Sequence, residues 1–171
     1  LLGLLLGPRR DARRRAAFML LELAPALVLP PLRACLGEDR LETHSEAALI
    51  EVARLIAKFS DQEEPRLSAL LSHSSPRVRR AALSTATPHA ALSEALIDEE
   101  RIASKAASLF LQRGTSPDPE ALSQALEHHP TCPELLCLSR RAGQASAALR
   151  RAVKLGDRSA IAYLSATEES L

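Results

Sequence analysis

One five-residue unit, Leu-x-x-small/apolar-apolar, returns throughout this chain and constrains its fold more than any other feature. It reads Leu1-Leu4-Leu5, Leu32-Cys35-Leu36, Leu67-Leu70-Leu71, Leu92-Ala95-Leu96, Leu122-Ala125-Leu126 and Leu149-Ala152-Val153, at intervals of 25–35 residues. Apolar residues at i, i+3 and i+4 make one stripe of a helix, and self-similarity at this interval marks a repeat architecture. Shortly after most copies comes a second helical start with paired small residues: Ala16-Ala17, Ala47-Ala48, Ala81-Ala82 and Ala106-Ala107. Each period therefore holds two helices.

The breakers fit this division. Ser75-Pro76, Thr87-Pro88 and Asp118-Pro119 place a side chain able to cap before a proline suited to a first helical turn. Pro30-Pro31, Pro65 and Pro133 stand where further helices should begin, while Gly114, Gly143 and Gly156 follow periodic runs and suit C-terminal caps. The pattern predicts first helices near 1–6, 29–36, 65–72, 88–97, 119–128 and 145–155. Second helices are expected near 10–23, 44–59, 76–86, 99–113, 133–142 and 158–167. The short connections make successive helices antiparallel neighbours.

Composition agrees with an all-α fold. Hydrophobic residues are 46% of the 171, which excludes a disordered chain, and the aromatic share of 2% is too small for a β-sandwich or barrel. Net charge is only +1, so nothing draws the chain as a whole to nucleic acid or anionic lipid. Nineteen of the 22 basic residues are arginine. Cys35, Cys132 and Cys137 form no disulfide framework, which points to a reducing, cytoplasmic setting. The opening run LLGLLLG lacks the preceding basic residues and the length of a signal peptide. It reads as the last turns of a helix in a larger protein, and no membrane association is expected.

Two stretches carry a family resemblance. LSALLSHSSPRVRRAAL (67–83) resembles a HEAT repeat, with a helix end, a short polar turn and Val78-Arg79-Arg80-Ala81-Ala82-Leu83 opening the next helix. LLGLLLGPRRDARRRAA (1–17) matches it 66 residues earlier, with Arg13 and Arg14 for Arg79 and Arg80, and Ala16 for Ala82. The stretch from Arg77 to Glu100 is also similar to the leucine-rich repeat variant, another helical solenoid. The resemblance is strongest over 1–115 and fades over 116–171. It implies one HEAT-like domain across 1–171, a right-handed, armadillo-type superhelix of about five to six antiparallel helix pairs. The turn Asp usual in such repeats has counterparts in Asp39 and Asp98, whereas His73 and Ser74 stand there in the best copy.

The arginines then have two readings. Val78, Ala81, Ala82 and Ala86 fall on the stripe expected to be buried, and Arg79 and Arg80 fall off it. They can pair with turn carboxylates or with C-terminal carbonyls of a neighbouring repeat, the role that the HEAT resemblance implies. They can instead form a phosphate-binding track with Arg13–Arg15 and Arg140–Arg141, as in nucleic-acid-binding solenoids. Glu46, Glu51, Glu99 and Glu100 interrupt that track, and aromatic residues for stacking on bases are scarce.

Catalytic and metal chemistry find little support. His128, His129, Cys132 and Cys137 are the best metal candidates, but Cys-x4-Cys is not a common zinc spacing and no second pair exists. Cys137 aligns with the buried Ala82 position, which makes it a core thiol. No histidine precedes a glutamate, as the di-iron hydroxylases of HEAT-like fold would require. There is no glycine-rich phosphate loop and no strained nucleophile turn. The sequence therefore points to a non-catalytic module that binds a protein partner through a helical-repeat surface and needs no cofactor, with nucleic-acid binding as the alternative. Arg14, Arg80, Glu51, Arg54, Arg101 and Arg141 are its candidate contact residues.

Overall fold

Leucine and alanine stripes dominate this chain, and helices are what they form. The computed structural model describes residues 1–165, with side chains except at 38–40, 147, 159 and 163–165. The side chain of Asp39 and positions 166–167 of the last expected helix lie outside what is described. Helix accounts for 73% of the structure, in twelve α-helices and two 3₁₀ segments, and no strand occurs among the described residues. The chain divides into two compact units, Leu1–Pro88 and the residues from His89 onward.

The first unit holds α1 (Leu2–Leu6), α2 (Arg10–Leu21), α3 (Pro25–Cys35), α4 (Glu46–Phe59), α5 (Arg66–Leu71) and α6 (Pro76–Ala82). They pack as pairs, α1 on α2, α3 on α4 and α5 on α6, and the second helices also touch, α2 on α4 and α4 on α6. At the centre, α4 starts on Ser45, whose hydroxyl accepts from the Ala48 N–H at 3.3 Å. Glu46 in its first turn and Lys58 in its last complement the helix dipole. Ala48, Leu49, Val52, Ala53, Leu55 and Ile56 are all buried, on both the α3 and the α6 side. Each large side chain of that stripe contributes about 1.5–3 kcal/mol by leaving water.

Two boundaries depart from the sequence pattern. α3 begins at Pro25, and Pro30 and Pro31 lie inside it rather than at its start. Neither proline can donate to the carbonyls of Ala26 and Leu27, but both those residues are exposed, so water can serve them. Val28, Leu32, Cys35 and Leu36 are buried at helical spacing, and their packing outweighs the two lost hydrogen bonds. α6 stops at Ala82, four residues short of the expected end. Thr87 Oγ1 donates to Ala82 O at 2.7 Å and accepts from the Ser84 N–H at 2.9 Å, while Ser84 Oγ accepts from the Ala86 N–H at 3.1 Å. Thr87 thus closes α6 rather than capping the helix that follows. Ser75 likewise makes no side-chain cap bond to α6. On the expected stripe, Val78, Ala82 and Ala86 are buried and Ala81 is half-buried.

The second unit holds α7 (His89–Glu94), continued by a 3₁₀ segment (Ala95–Ile97), then α8 (Glu100–Arg113), α9 (Pro119–His128), α10 (Pro133–Arg141), α11 (Ala145–Leu155) and α12 (Arg158–Ser165). Pairing again follows chain order, α7 with its extension on α8, α9 on α10 and α11 on α12, while α10 touches both α8 and α12. Asp118 caps α9 as its sequence position predicts, accepting from the Glu120 and Ala121 N–H groups at 2.8 and 3.2 Å. Gly114, Gly143 and Gly156 all stand just past helix ends with φ near +70° (73°, 73° and 69°), the left-handed conformation that glycine adopts without strain.

Since Ala82 is fully buried in α6 and Arg80 is exposed, Ala82→Arg should cost more than about 3 kcal/mol through overpacking and burial of a charge. Arg80→Ala should cost under about 1 kcal/mol. Denaturant unfolding of both variants checks this, and equal tolerance of the two would contradict the packing of α6.

Candidate protein-interaction surface

The arginines fall into three groups once their partners are known. The first group grips the backbone. Arg13 Nη1 donates to Gly7 O and Pro8 O, both at 2.8 Å. Arg79 Nη1 donates to His73 O and Ser74 O at 3.0 and 3.1 Å. These donors and acceptors correspond one to one across the 66-residue offset. Each guanidinium satisfies the carbonyls of the turn between the two helices of its own pair, and charge-assisted bonds of this kind are stronger than neutral ones. The sequence expectation had as acceptors either turn carboxylates or the C-terminal carbonyls of a neighbouring repeat. Arg141 does act in that way, for its Nη1 donates to Leu111 O, in the last turns of α8, at 3.0 Å. A Cβ at Gly114 would come within 3.1 Å of Arg141 Nη2, so this glycine provides both the turn and the space.

The second group pairs with carboxylates. Arg54 meets Glu51 at 3.2 Å on the surface of α4, Arg77 meets Glu46 at 3.2 Å between α6 and α4, and Arg151 meets Glu127 at 2.8 Å. The tightest pair has no signal in the periodic pattern. Arg33, at the end of α3, places Nε and Nη2 each 2.6 Å from Glu64 Oε2. Glu64 is 3% exposed, and its own N–H donates to Ala86 O at 2.6 Å, so one residue ties α3, the start of α5 and the loop after α6. Only the run Glu63-Glu64 just before Pro65 could have pointed to it.

The third group is exposed and concentrated on α2. Arg9, Arg10, Arg14 and Arg15 make no ion pair among the described residues. Beside them stands most of the exposed apolar surface. Leu1, Leu4, Phe18, Met19, Leu21, Leu23 and Leu27 are 40–70% exposed, and only Val153 and Leu155 join them from the rest of the described chain. Between α1 and α2 a cleft of about 680 Å³ has Leu4, Ala16 and Met19 on its walls, with Arg9, Arg10, Arg15 and Asp11 around it. Large exposed apolar residues in this density mark interaction surfaces in folded proteins.

The candidate contact residues are therefore distributed as follows. Arg14, Arg54, Arg80, Arg101 and Arg141 are exposed and Glu51 is half-buried. In the first unit they occupy α2, α4 and α6, and in the second α8 and α10. Only Arg14 adjoins the apolar surface, and sequence reasoning missed Phe18, Met19 and Leu27 there because they lie off the repeated unit.

The histidine–cysteine cluster is taken up by backbone and carboxylate contacts. His129 Nε2 lies 2.6 Å from Asp98 O, and Cys132 Sγ lies 3.3 Å from Glu134 Oε2. Among the described residues no three His, Cys, Asp or Glu side chains gather as a metal-binding group. Cys137 is half-buried, and the core positions of α10 are filled by Leu135, Leu138 and Ser139, with Cys132 buried just before the helix. The thiol aligned with Ala82 is thus not the buried one. Burial, and then the hydrogen bond to Glu134, push the Cys132 thiol up to about 11, while its own backbone amide holds Glu134 below the usual carboxylate range. Among the described residues no helix is long and apolar enough to cross a membrane. No protein-family model, curated protein or solved structure matches this chain.

Two measurements check this account. Arg33→Ala strands a buried carboxylate and should cost about 2–3 kcal/mol, the low end for a broken buried pair because Arg33 is itself 46% exposed. Glu64→Gln releases Arg33 to water and should cost less, an order that denaturant unfolding of both variants can test. With its pKa raised to about 11, Cys132 is only about one part in a thousand thiolate at pH 8. Iodoacetamide at that pH should label Cys137 first in the folded protein and reach Cys132 only after denaturation.

Proposed function

We propose that this chain is a non-catalytic helical-repeat module that binds a protein partner. Its finer architecture on this reading is a HEAT-like, right-handed stack of helix pairs, working in the cytoplasm. The Arg13 and Arg79 grips support the repeat, because the same side chain meets the same two turn carbonyls in two helix pairs. The gradient of burial supports it too. The copies at Leu32, Leu92 and Leu122 are buried at all three positions, whereas Leu4 in the first copy and Val153 in the last are more than half exposed.

The observation that carries the function is the apolar surface of α1–α3, where Phe18 is 67% and Leu27 70% exposed. Side chains of this size placed in water are the usual anchors of protein recognition. A phosphate track fits less well, because Glu46 and Glu51 neutralise Arg77 and Arg54 and Arg13, Arg79 and Arg141 hold backbone carbonyls. With these side chains engaged, they form no continuous basic stripe for a duplex to follow.

A photo-crosslinking amino acid at position 18, in the protein expressed in its own cells, should yield discrete protein adducts that survive nuclease treatment. The same residue at position 108, exposed on α8, should yield fewer. Adducts abolished by nuclease, or a lack of adducts from position 18, would overturn the reading.

A further inference from the structure

We infer that the cleft between α1 and α2 receives an amphipathic helix with acidic flanks, supplied by the partner protein. This inference rests on the protein-binding reading above and adds to it the partner's chemistry. Three observations lead to it.

The first is shape. Leu4 and Met19 are 54% and 53% exposed, yet both line one concavity of about 680 Å³ whose other wall is the fully packed Ala16. A recess of this kind takes inserted side chains. A flat bilayer surface cannot fill it, which sets the site apart from a lipid-facing amphipathic helix. The cleft runs between two helices, and no strand occurs among the described residues to pair with an extended peptide. A recess between two helices suits helix-in-groove docking, with apolar anchors at i, i+3 or i+4 and i+7.

The second is charge. Arg9, Arg10 and Arg15 surround the cleft against the single Asp11, and Arg14 stands one position from Arg15 on the same helix. These four guanidinium groups make no ion pair among the described residues, unlike Arg33, Arg54, Arg77 and Arg151. Arginines beside an apolar recess favour carboxylates flanking the inserted residues, for a complementary potential speeds encounter and fixes register.

The third is continuity. Phe18, on the same helix, and Leu23 and Leu27 just beyond it in the sequence extend the run of exposed apolar residues past Met19. A helix of three or four turns spans about 15–20 Å, long enough to engage the cleft and part of this extension together.

The test uses a fluorescein-labelled helical peptide of about 14 residues, with leucines at i, i+3 and i+4 spacing and glutamates on both flanks. A twin peptide carries lysine for every glutamate. The acidic peptide should bind this chain at least about tenfold more tightly than its twin. Met19→Glu, and separately Arg10→Glu with Arg15→Glu, should each weaken it by about tenfold or more. Lys58→Ala, on the exposed side of α4, should leave binding unchanged, and circular dichroism should show each variant as helical as the parent.

Equal binding of the two peptides, or indifference to Met19→Glu, would overturn the acidic-helix assignment. Crosslinks from position 18 would in that case still stand, so the wider reading and this one fail separately. Binding to vesicles of about 30% phosphatidylserine that is lost on the same substitutions would assign the surface to lipid instead. A dimer in light scattering that Met19→Glu dissociates would assign it to a second copy. Either result overturns the proposal.

Discussion

The α1–α2 and α5–α6 pairs both depend on what happens to the carbonyls where the chain reverses. A tight turn between short helices leaves several backbone acceptors pointing outward, and α1 and α5 are too short to bury their ends in neighbouring structure. Arg13 and Arg79 answer this from the first turn of the following helix. Their guanidinium groups reach back over the turn and hold two successive carbonyls each. The second helix is thereby fixed in direction before its apolar face meets a neighbour. Ala16 and Ala82, three residues further along, can then lie flat against the core at 1% and 0% exposure. Grip and stripe act together, and an arginine at this position is a structural part even though its charge invites a reading as a ligand site.

The sequence was most legible where one physical signal acts alone. Apolar spacing located the twelve helices, because a stripe of buried leucines and alanines has no strand equivalent at that period. Asp118 and the three left-handed glycines were equally plain, each being a residue whose local chemistry points to one conformation. Legibility failed where two signals compete. Pro30 and Pro31 are helix breakers by propensity, yet Val28, Leu32 and Leu36 bury one helical face through them, and the exposed side of α3 faces water that replaces the missing donors. Thr87 is a good N-cap residue before a proline, yet its hydroxyl finds Ala82 O first and ends the preceding helix. In both cases a tertiary contact decides, and a tertiary contact cannot be read from spacing.

The candidate surface was less legible than the fold for a related reason. Periodicity reports which residues can be buried together, not which lack a neighbour. Leu1-Leu4-Leu5 and Leu32-Cys35-Leu36 are the same pattern, but Leu5 alone of the first copy is buried while all three of the second are. Phe18 and Met19 stood outside every periodic argument, since a single large residue on a polar helix face looks like the scatter of apolar residues that all surfaces carry. Only Met19's place with Leu4 on a cleft bordered by arginines, and Phe18's exposure next to Met19 in the chain, set them apart.

The distribution of charge completes the picture. A chain with 22 basic and 21 acidic residues has no net pull on a partner, so any selectivity must come from where charge is left unpaired. In α4 and α6 the acids and bases meet each other, and in α10 Arg141 is held by a carbonyl. Arg9, just before α2, and four arginines on that helix stand against Asp11, and among the described residues only the Arg13 side chain of the five is engaged. Unpaired charge and uncovered apolar area therefore coincide on one helix pair. Each alone is common on protein surfaces, and their coincidence on α1–α3 is what supports the recognition proposed there.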